Sequence, residues 1–183
     1  LGEGHAYGIR IIYSEEPSIL DTGGAIAAAR DYLSGDTFVV LNADTFIDVQ
    51  LQDVIAFHHR HQAVATMVVR ADPDAMRKDD VRIDTMHRLR RILGHAHPAE
   101  AAAESLPRFF YAGIQVFHPR VFEYLPPGVY SITRDVYPRL LAADEPLYGY
   151  VHQGYWRVLD TPGDLADGRR EIAVRLRAPD EFS

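Results

Sequence analysis

Two polar residues follow an apolar stretch of the chain in a pattern that is typical of a metal or phosphate site. The run from Phe38 to Leu41 is continuously apolar and of strand length, and Asn42 and Asp44 come directly after it. In an open α/β sheet, ligands bind beyond the carboxyl ends of the strands, and a carboxylate there can hold Mg²⁺ next to a substrate phosphate. An aspartate after a strand also favours a turn for local hydrogen-bonding reasons. The pattern therefore leaves Asp44 open between a metal ligand and a turn or cap residue.

Two glycine-containing segments indicate places where a ligand or another backbone approaches closely. Thr22 is followed by Gly23 and Gly24, which lack a side chain where the backbone meets its surroundings. Ala112 and Gly113 lie inside a strand-like run, where glycine weakens a strand and so marks a close approach or a bulge. A tight turn explains the first pair equally well, and a bulge explains the second.

Histidine is frequent, but its spacing does not match a known metal motif. His58, His59 and His61 fall on one predicted helix, and His95 and His97 fall in one loop. No carboxylate completes the His-Glu-x-x-His pattern of zinc peptidases, so a histidine zinc site is the less favoured interpretation. The sequence also lacks a Gly-x-Ser-x-Gly elbow, a Walker loop and a dinucleotide glycine fingerprint.

The elements that must position these residues alternate between strand and helix patterns. We predict strands at 8–13, 37–41 and 63–69, with a helix after Thr22 that this hydroxyl residue caps and a second helix from Leu51. This order predicts a doubly wound α/β fold with a mostly parallel, Rossmann-like sheet and right-handed crossovers.

The rest of the chain extends this single domain. Residues 72–105 predict a small excursion within one domain that covers residues 1–183. A strand is predicted at 108–117, a short helix at 119–125, two strands at 147–151 and 155–159, and a last helix that Pro162 opens.

Composition excludes several classes of protein. The chain has 183 residues, no cysteine and a formal net charge of −7. An acidic protein lacks the basic surface that a DNA or RNA backbone requires, so no nucleic-acid partner is expected. Without cysteine there is no disulfide framework or thiolate metal site, and no segment approaches the roughly 20 apolar residues of a membrane span. We expect a soluble, cytoplasmic protein with no membrane partner, and the sequence does not indicate its oligomeric state.

Eight segments of the chain share a pattern with one known family: 20–25, 38–45, 110–114, 130–132, 135–138, 146–150, 154–156 and 161–162. Together they resemble the sugar-phosphate nucleotidylyltransferase family, closest to its mannose-1-phosphate guanylyltransferase and muramate-1-phosphate uridylyltransferase-like branch. The resemblance implies the nucleotide-diphospho-sugar transferase fold and the transfer of a nucleotidyl group from an NTP to a sugar 1-phosphate, with release of pyrophosphate.

The resemblance also implies roles for particular residues. Thr22, Gly23 and Gly24 match the segment that contacts the base, and Asn42 is expected to bind the nucleotide as well. Asp44 matches the catalytic aspartate that binds Mg²⁺ beside the α-phosphate, and Ala112 and Gly113 match the segment that lies against the sugar. The implied partners are an NTP, a sugar 1-phosphate and Mg²⁺.

The sequence departs from the family pattern in several places, and there the roles of the family's residues cannot be assigned directly to this chain. The family's glycine-rich loop with its arginine and lysine is expected upstream of Leu1, so we expect an N-terminally truncated domain without its first strand or strands. Val158 occupies the position of the family's second metal-binding aspartate, and Asp160, two residues on, is a candidate substitute if the strand stays regular. The family's Glu-Lys-Pro is not kept near Gly94, and Arg90, Arg91 and Arg108 are the candidate replacements for its positive charge.

Three hypotheses follow from these matches and departures. The leading one is a nucleotidylyltransferase whose catalysis is impaired in the chain as it stands. The alternative is a non-catalytic relative that binds a sugar nucleotide or sugar phosphate after loss of the second metal carboxylate. A purely structural domain is the third.

Overall fold

A computed structural model of the chain describes residues 2–72, 80–98 and 103–175. Parts of the predicted excursion, residues 73–79 and 99–102, lie outside the described residues. The described strands are β1 (Phe38–Leu41), β2 (Thr45–Ile47), β3 (Ala65–Ala71), β4 (Val81–Ile83), β5 (Leu89–Ile92), β6 (His95–Ala96), β7 (Arg108–Phe117), β8 (Leu147–Val151) and β9 (Trp156–Val158). The described α-helices are α1 (Asp21–Ala28), α2 (Arg30–Leu33), α3 (Leu51–Arg60), α4 (Tyr137–Ala142) and α5 (Pro162–Arg175).

The central sheet is organised around β7. Its strand order is β6-β5-β4-β7-β3-β8, and β1 pairs with β7 as well. The ten residues of β7 lie antiparallel to β1, β3 and β4, whereas β3 and β8 form a parallel pair. The α/β class is confirmed. The expectation of a mostly parallel sheet is corrected for the described strands: β1, β3 and β8 share one direction, but β7 runs against them and separates β1 from β3.

Helices cover both faces of the sheet, as a doubly wound fold requires. Met67 of β3 faces the larger core, which includes Ile26 of α1 and Leu140 of α4. The next residue, Val68, faces a smaller core with Val54 of α3. Adjacent strand residues point to opposite faces, so β3 serves both cores, and its run of buried residues is the signature of a strand covered on both sides.

A separate two-stranded ribbon of β2 and β9 lies against the smaller core. Thr45 pairs with Val158, and Ile47 pairs with Trp156, in an antiparallel ladder. Ile47 and Trp156 pack against the core that Val54 and Ile114 help to form. The ribbon therefore joins the segment after β1 to the segment before α5.

Two local predictions are wrong. Residues 8–13 do not form a strand, because the chain folds back there: the Ile11 amide donates to the Glu3 carbonyl over 2.9 Å, and Ile9 is 57% exposed. Thr22 does not cap α1, because the helix begins one residue earlier at Asp21 and the Thr22 hydroxyl accepts a hydrogen bond from the Ile132 amide.

Other predictions hold with shifted ends. The helix after β7 is a 3₁₀ turn at Pro119–Tyr124, and the last helix begins at Pro162 as expected. A single π-helical turn, Ile132–Val136, precedes α4, and no local pattern predicted it. Among the described residues, no helix is both long and apolar enough to cross a membrane.

Candidate functional site

Asp44 lies in the tight connection between β1 and β2, where the strand pattern predicted it. Its side chain is exposed, and its Oδ1 accepts a long hydrogen bond of 3.3 Å from the Thr45 hydroxyl. Its backbone carbonyl accepts a hydrogen bond of 2.7 Å from the Leu159 amide. The backbone of Asp44 is therefore fixed to the end of β9, while its carboxylate points to an accessible surface.

The candidate second carboxylate lies just beyond that bond. Val158 is the last residue of β9, opposite Thr45, and Asp160 follows Leu159 in an exposed, irregular position. The regular strand that would keep Asp160 on the face of Val158 has ended, so the argument from strand alternation does not apply. Within the described ranges, neither Asp44 nor Asp160 forms an ion pair with a basic side chain.

Gly113 of β7 lies against the Asp44 turn, next to Thr45. Its φ is +94°, a conformation that residues with a side chain rarely adopt, and a Cβ there would lie 2.9 Å from the Thr45 hydroxyl oxygen. Its carbonyl accepts a hydrogen bond of 2.8 Å from the Asn42 amide. A bulge in the pairing of β3 with β7, between Met67 and Val69, accompanies this distortion. The glycine therefore permits β7 to approach the Asp44 turn closely.

Trp156 completes this arrangement, and sequence reasoning assigned it no role. Its indole nitrogen donates to the Ala112 carbonyl over 3.0 Å, and its ring lies 4.9 Å from that of Phe110 in an edge-on contact. The indole thus links β9 to the strand that carries Ala112 and Gly113. In the sequence, Trp156 is the single tryptophan of the chain and lies in segment 154–156, which carries the family resemblance.

Thr22, Gly23 and Gly24 lie in the first turn of α1 and pack against a loop of the protein. Gly23 and Gly24 are buried, and a Cβ on either would collide with Tyr130 or Gly128. Both glycine amides donate to the Tyr130 carbonyl, at 2.9 and 3.3 Å. This close packing is a sufficient reason for the diglycine, and a contact with a nucleotide base stays a prediction.

The structure places the predicted residues in two groups. Asn42 and Gly113 line one cleft of about 300 Å³ beside Thr45, whereas Gly24 lines a separate groove of about 630 Å³. Tyr111 connects the two groups indirectly: its hydroxyl donates to the Asn42 side-chain oxygen over 3.4 Å, and it shares a small cavity with Thr133 of the π turn. The π turn in turn bonds Thr22 through the Ile132 amide.

The arginines that were candidates for phosphate binding are engaged with acidic residues. Arg90 pairs with Asp84 at 2.7 Å, Arg91 pairs with Asp80 at 2.8 Å, and Arg108 lies 3.4 Å from Asp72. Burial raises the pKa of Asp80, but hydrogen bonds from Arg91 and Arg82 outweigh it and leave that pKa below its ordinary value. These ion pairs stabilise the part of the sheet formed by β4, β5 and the start of β7. They also partly neutralise the positive charge that the arginines would present to a phosphate.

His58 is a core residue of α3. Its ring is 1% exposed, and its Nδ1 lies 2.9 Å from the Thr66 hydroxyl. Burial, with smaller contributions from His59 and His118, lowers its pKa to about 4, so the ring is neutral at pH 7. Among the described residues, no three histidine, aspartate or glutamate side chains are grouped so that they could hold a metal ion.

Comparison with known proteins decides the family. The model of the family described as Nucleotidyl transferase matches residues 1–174. This chain belongs to that family.

Relatives within the nucleotidyl transferase family support the same assignment. The mannose-1-phosphate guanylyltransferase of Mycobacterium tuberculosis is 33% identical over 180 residues, which cover 97% of this chain and 48% of that protein. The probable mannose-1-phosphate guanylyltransferase 1 of Oryza sativa subsp. japonica is 33% identical over 178 residues, covering 94% of this chain and 47% of the relative. The chain thus spans about half the length of the curated relatives that it matches.

Solved structures confirm the fold. A putative glucose-1-phosphate thymidylyltransferase from Bacillus anthracis, in complex with a sucrose, superposes with a TM-score of 0.71 at 19% identity, covering 98% of this chain and 70% of that one. HddC from Yersinia pseudotuberculosis, complexed with GMP-PN, gives a TM-score of 0.67 at 19% identity, covering 86% of this chain and 64% of that one. The site residues, the metal and the cytoplasmic location stay predictions.

Proposed function

We propose that the protein to which this chain belongs transfers a nucleotidyl group from an NTP to a sugar 1-phosphate, giving an NDP-sugar and pyrophosphate. The observation that carries the proposal is the Asp44 turn. Its backbone is fixed by Leu159 and flanked by Gly113, while its carboxylate remains exposed and without an ion pair in the described ranges. A fixed backbone and an available carboxylate are what a preorganised metal ligand requires.

The donor set suits Mg²⁺, which prefers oxygen ligands and usually keeps several waters. Asp44 would supply one carboxylate, and Asp160 is the candidate for a second. When bound, Mg²⁺ would neutralise negative charge on the α-phosphate of the NTP.

The reaction requires the protein to align two substrates and does not require a general base. An oxygen of the sugar phosphate attacks the α-phosphorus, a new P–O bond forms, and the bond to the pyrophosphate leaving group breaks. The attacking oxygen is already anionic, so no general base is needed, and the protein contributes alignment of the two substrates. We assign this alignment to Asn42 and Gly113, because they share a cleft beside the Asp44 turn.

The test uses the full-length protein in a pyrophosphate-release assay. GTP with mannose 1-phosphate is the first pair, because the relatives at 33% identity are named for that activity. Other NTPs and sugar 1-phosphates follow. Mg²⁺-dependent release with at least one pair supports the proposal, and no release with any pair overturns it.

Val158 favours a second candidate function, a non-catalytic relative that binds the ligand without turnover. An apolar side chain stands opposite Thr45, one residue before the bond that fixes Asp44. Val158→Asp in the full-length protein separates the two hypotheses. A gain in turnover of about tenfold or more would indicate an impaired enzyme, whereas intact nucleotide binding with no turnover in either form would favour the binding relative.

A further inference from the structure

A histidine and an aspartate join the β2–β9 ribbon to the central sheet at the end of the ribbon away from Asp44. The Nε2 of His152 lies 2.8 Å from Oδ1 of Asp48. Asp48 directly follows β2 and Asp44 directly precedes it, so the two aspartates stand at the two ends of one three-residue strand. At a strand rise of about 3.3 Å per residue, roughly 13 Å of backbone separates them.

His152 is itself fixed to the central sheet. It follows β8, and its backbone amide donates to the Val69 carbonyl of β3 over 2.9 Å. Its side chain is 10% exposed, whereas the side chain of Asp48 is 44% exposed. The sheet therefore holds the imidazole, and the imidazole in turn holds the ribbon.

The hydrogen on this imidazole can be assigned from its neighbours. Besides the Asp48 carboxylate, Nε2 lies 3.3 Å from the Tyr155 carbonyl oxygen. Both oxygens accept hydrogen bonds, so Nε2 carries the hydrogen and donates it to the carboxylate. The same Tyr155 carbonyl accepts a hydrogen bond of 3.2 Å from the Asp48 amide. The imidazole therefore closes the end of the β2–β9 ladder with a charge-assisted bond, which is about twice as strong as a neutral one.

The loop between β8 and β9 makes room for this contact at Gly154. A Cβ there would collide with the Asp48 carboxylate and with the His152 ring. The Gly154 carbonyl accepts a hydrogen bond from the Arg70 side chain of β3. The loop is thus bonded to the sheet while it lies directly against Asp48.

The other end of the ribbon carries the Asp44 turn, which the Leu159 amide fixes through the Asp44 carbonyl. An isolated two-stranded ribbon is marginally stable in water, so contacts with the rest of the protein determine where it lies. We propose that His152 is a positioning residue: by holding Asp48 it fixes the ribbon, and with it the carboxylate of Asp44. The role of Asp44 rests on the proposed function, because a metal ligand must be held to within about 0.5 Å.

Hydrogen–deuterium exchange of the full-length protein, without metal or substrate, tests the link to the ribbon. Mass spectrometry follows peptides that cover residues 44–48 and 155–159. His152→Leu should speed their exchange about tenfold, the scale for loss of one hydrogen bond. His152→Gln keeps an N–H donor of similar reach and should stay within about threefold of the parent protein. Parent-like exchange in a folded His152→Leu protein overturns the inference.

A second variant and a double variant test whether the effect passes through Asp48. Asp48→Ala alters a more exposed side chain, should reproduce the faster exchange, and keeps the test open if His152→Leu does not fold. The double variant should exchange within about twofold of either single variant, because one contact is lost in all three. Effects that multiply, or unchanged exchange in Asp48→Ala, overturn the proposed route.

The chain contains a matched control, a second histidine–aspartate pair away from the ribbon. The Nε2 of His97 lies 3.0 Å from Oδ1 of Asp144, and the His97 side chain is 12% exposed. His97→Leu should leave exchange of the ribbon peptides unchanged. An equal increase in this variant would show that any lost histidine pair loosens the protein, and it would overturn a specific role of His152.

Turnover separates this inference from the proposed function. With any substrate pair that the full-length protein uses, the Mg²⁺ concentration for half-maximal turnover should rise about tenfold in His152→Leu, the low end of the range for residues that orient a metal ligand. His152→Gln should restore it to within about threefold of the parent value. An unchanged Mg²⁺ requirement in His152→Leu overturns the positioning role alone, whereas no turnover of the parent protein with any pair overturns the proposed function.

Discussion

Gly113 and Thr45 are in such close contact that position 113 has no room for a side chain: an added Cβ would lie 2.9 Å from the Thr45 hydroxyl oxygen and 3.0 Å from its Cβ. The contact joins β7 to the turn that carries Asp44. We therefore expect Gly113→Ala to destabilise the protein by about 1–3 kcal/mol, since it combines an unfavourable φ with a collision. Urea unfolding measures this change.

Gly35 provides the matched control for that variant. It lies in an exposed turn, and an added Cβ would have nothing within 4 Å. Gly35→Ala should stay within about 0.5 kcal/mol of the parent protein. Equal effects of the two substitutions would contradict the close approach of β7 to Thr45.

Asp44→Asn should remove Mg²⁺-dependent activity without unfolding the protein. The Asp44 side chain is exposed, and an asparagine oxygen can accept the same bond from Thr45. We expect turnover of the full-length protein to fall by about 100-fold or more, the scale for loss of a group that stabilises transition-state charge. Calorimetric titration with Mg²⁺ in the presence of NTP measures binding directly.

Asp36→Asn is the control, because Asp36 precedes β1 as Asp44 follows it. It is also exposed and accepts a local hydrogen bond, from the Thr37 amide at 2.6 Å. Its substitution should leave turnover within about twofold. A comparable loss from Asp36→Asn would show that the effect is general electrostatics rather than metal binding.

Trp156→Phe should loosen the contact between β9 and β7. The substitution removes the donor to the Ala112 carbonyl but keeps an aromatic ring near Phe110. The expected cost is about 1–3 kcal/mol of unfolding free energy, the range for a buried carbonyl that loses its partner. KM for the sugar 1-phosphate should rise more than KM for the NTP, because Ala112 lies on the predicted sugar side.

Tyr155→Phe is the companion control. It removes a hydrogen bond of 2.6 Å to Glu171 of α5, on the outer side of the ribbon. Its effect on both KM values should be small. If Tyr155→Phe shifted the sugar KM as much as Trp156→Phe, the indole would have no special part in positioning β7.

His58 should make the protein less stable as the pH falls. Burial lowers its pKa from 6.5 to about 4, so the unfolded chain binds a proton that the folded protein rejects. The stabilising contribution is therefore fully present above about pH 6.5 and is lost between about pH 6.5 and 4. His58→Gln should flatten this part of the stability profile, measured by urea unfolding from pH 7.5 to 4.5.

Exposed His5 serves as the comparison. It lies on the surface near Glu3, at 3.9 Å, with both side chains more than 80% exposed. His5→Gln should leave the slope of stability against pH nearly unchanged. A parent-like slope in His58→Gln would show that carboxylates, and not the buried imidazole, govern this pH range.

Much of the fold follows from local patterns in the sequence. The apolar run of β1 with Asp44 after it, the long strand β7 and the helix that begins at Pro162 are all encoded by neighbouring residues, and the structure has them in those places. Residues 8–13 show the limit of such patterns. Their composition suits a strand, yet a strand forms only where a neighbouring strand completes its hydrogen bonds, and the described residues supply none there.

At the Asp44 turn, some features follow from residue types and their order, and others only from the packing of distant elements. Residue types and order were enough to mark Asp44 as a strand-end carboxylate and to flag Gly113 as a place of close approach. They could not say what approaches: that Thr45 fills the space at Gly113, that Trp156 binds the Ala112 carbonyl, and that Gly23 and Gly24 pack on Tyr130 and Gly128. Those contacts join residues more than 40 positions apart. They depend on how the ribbon, the sheet and α1 pack together, which no local pattern specifies.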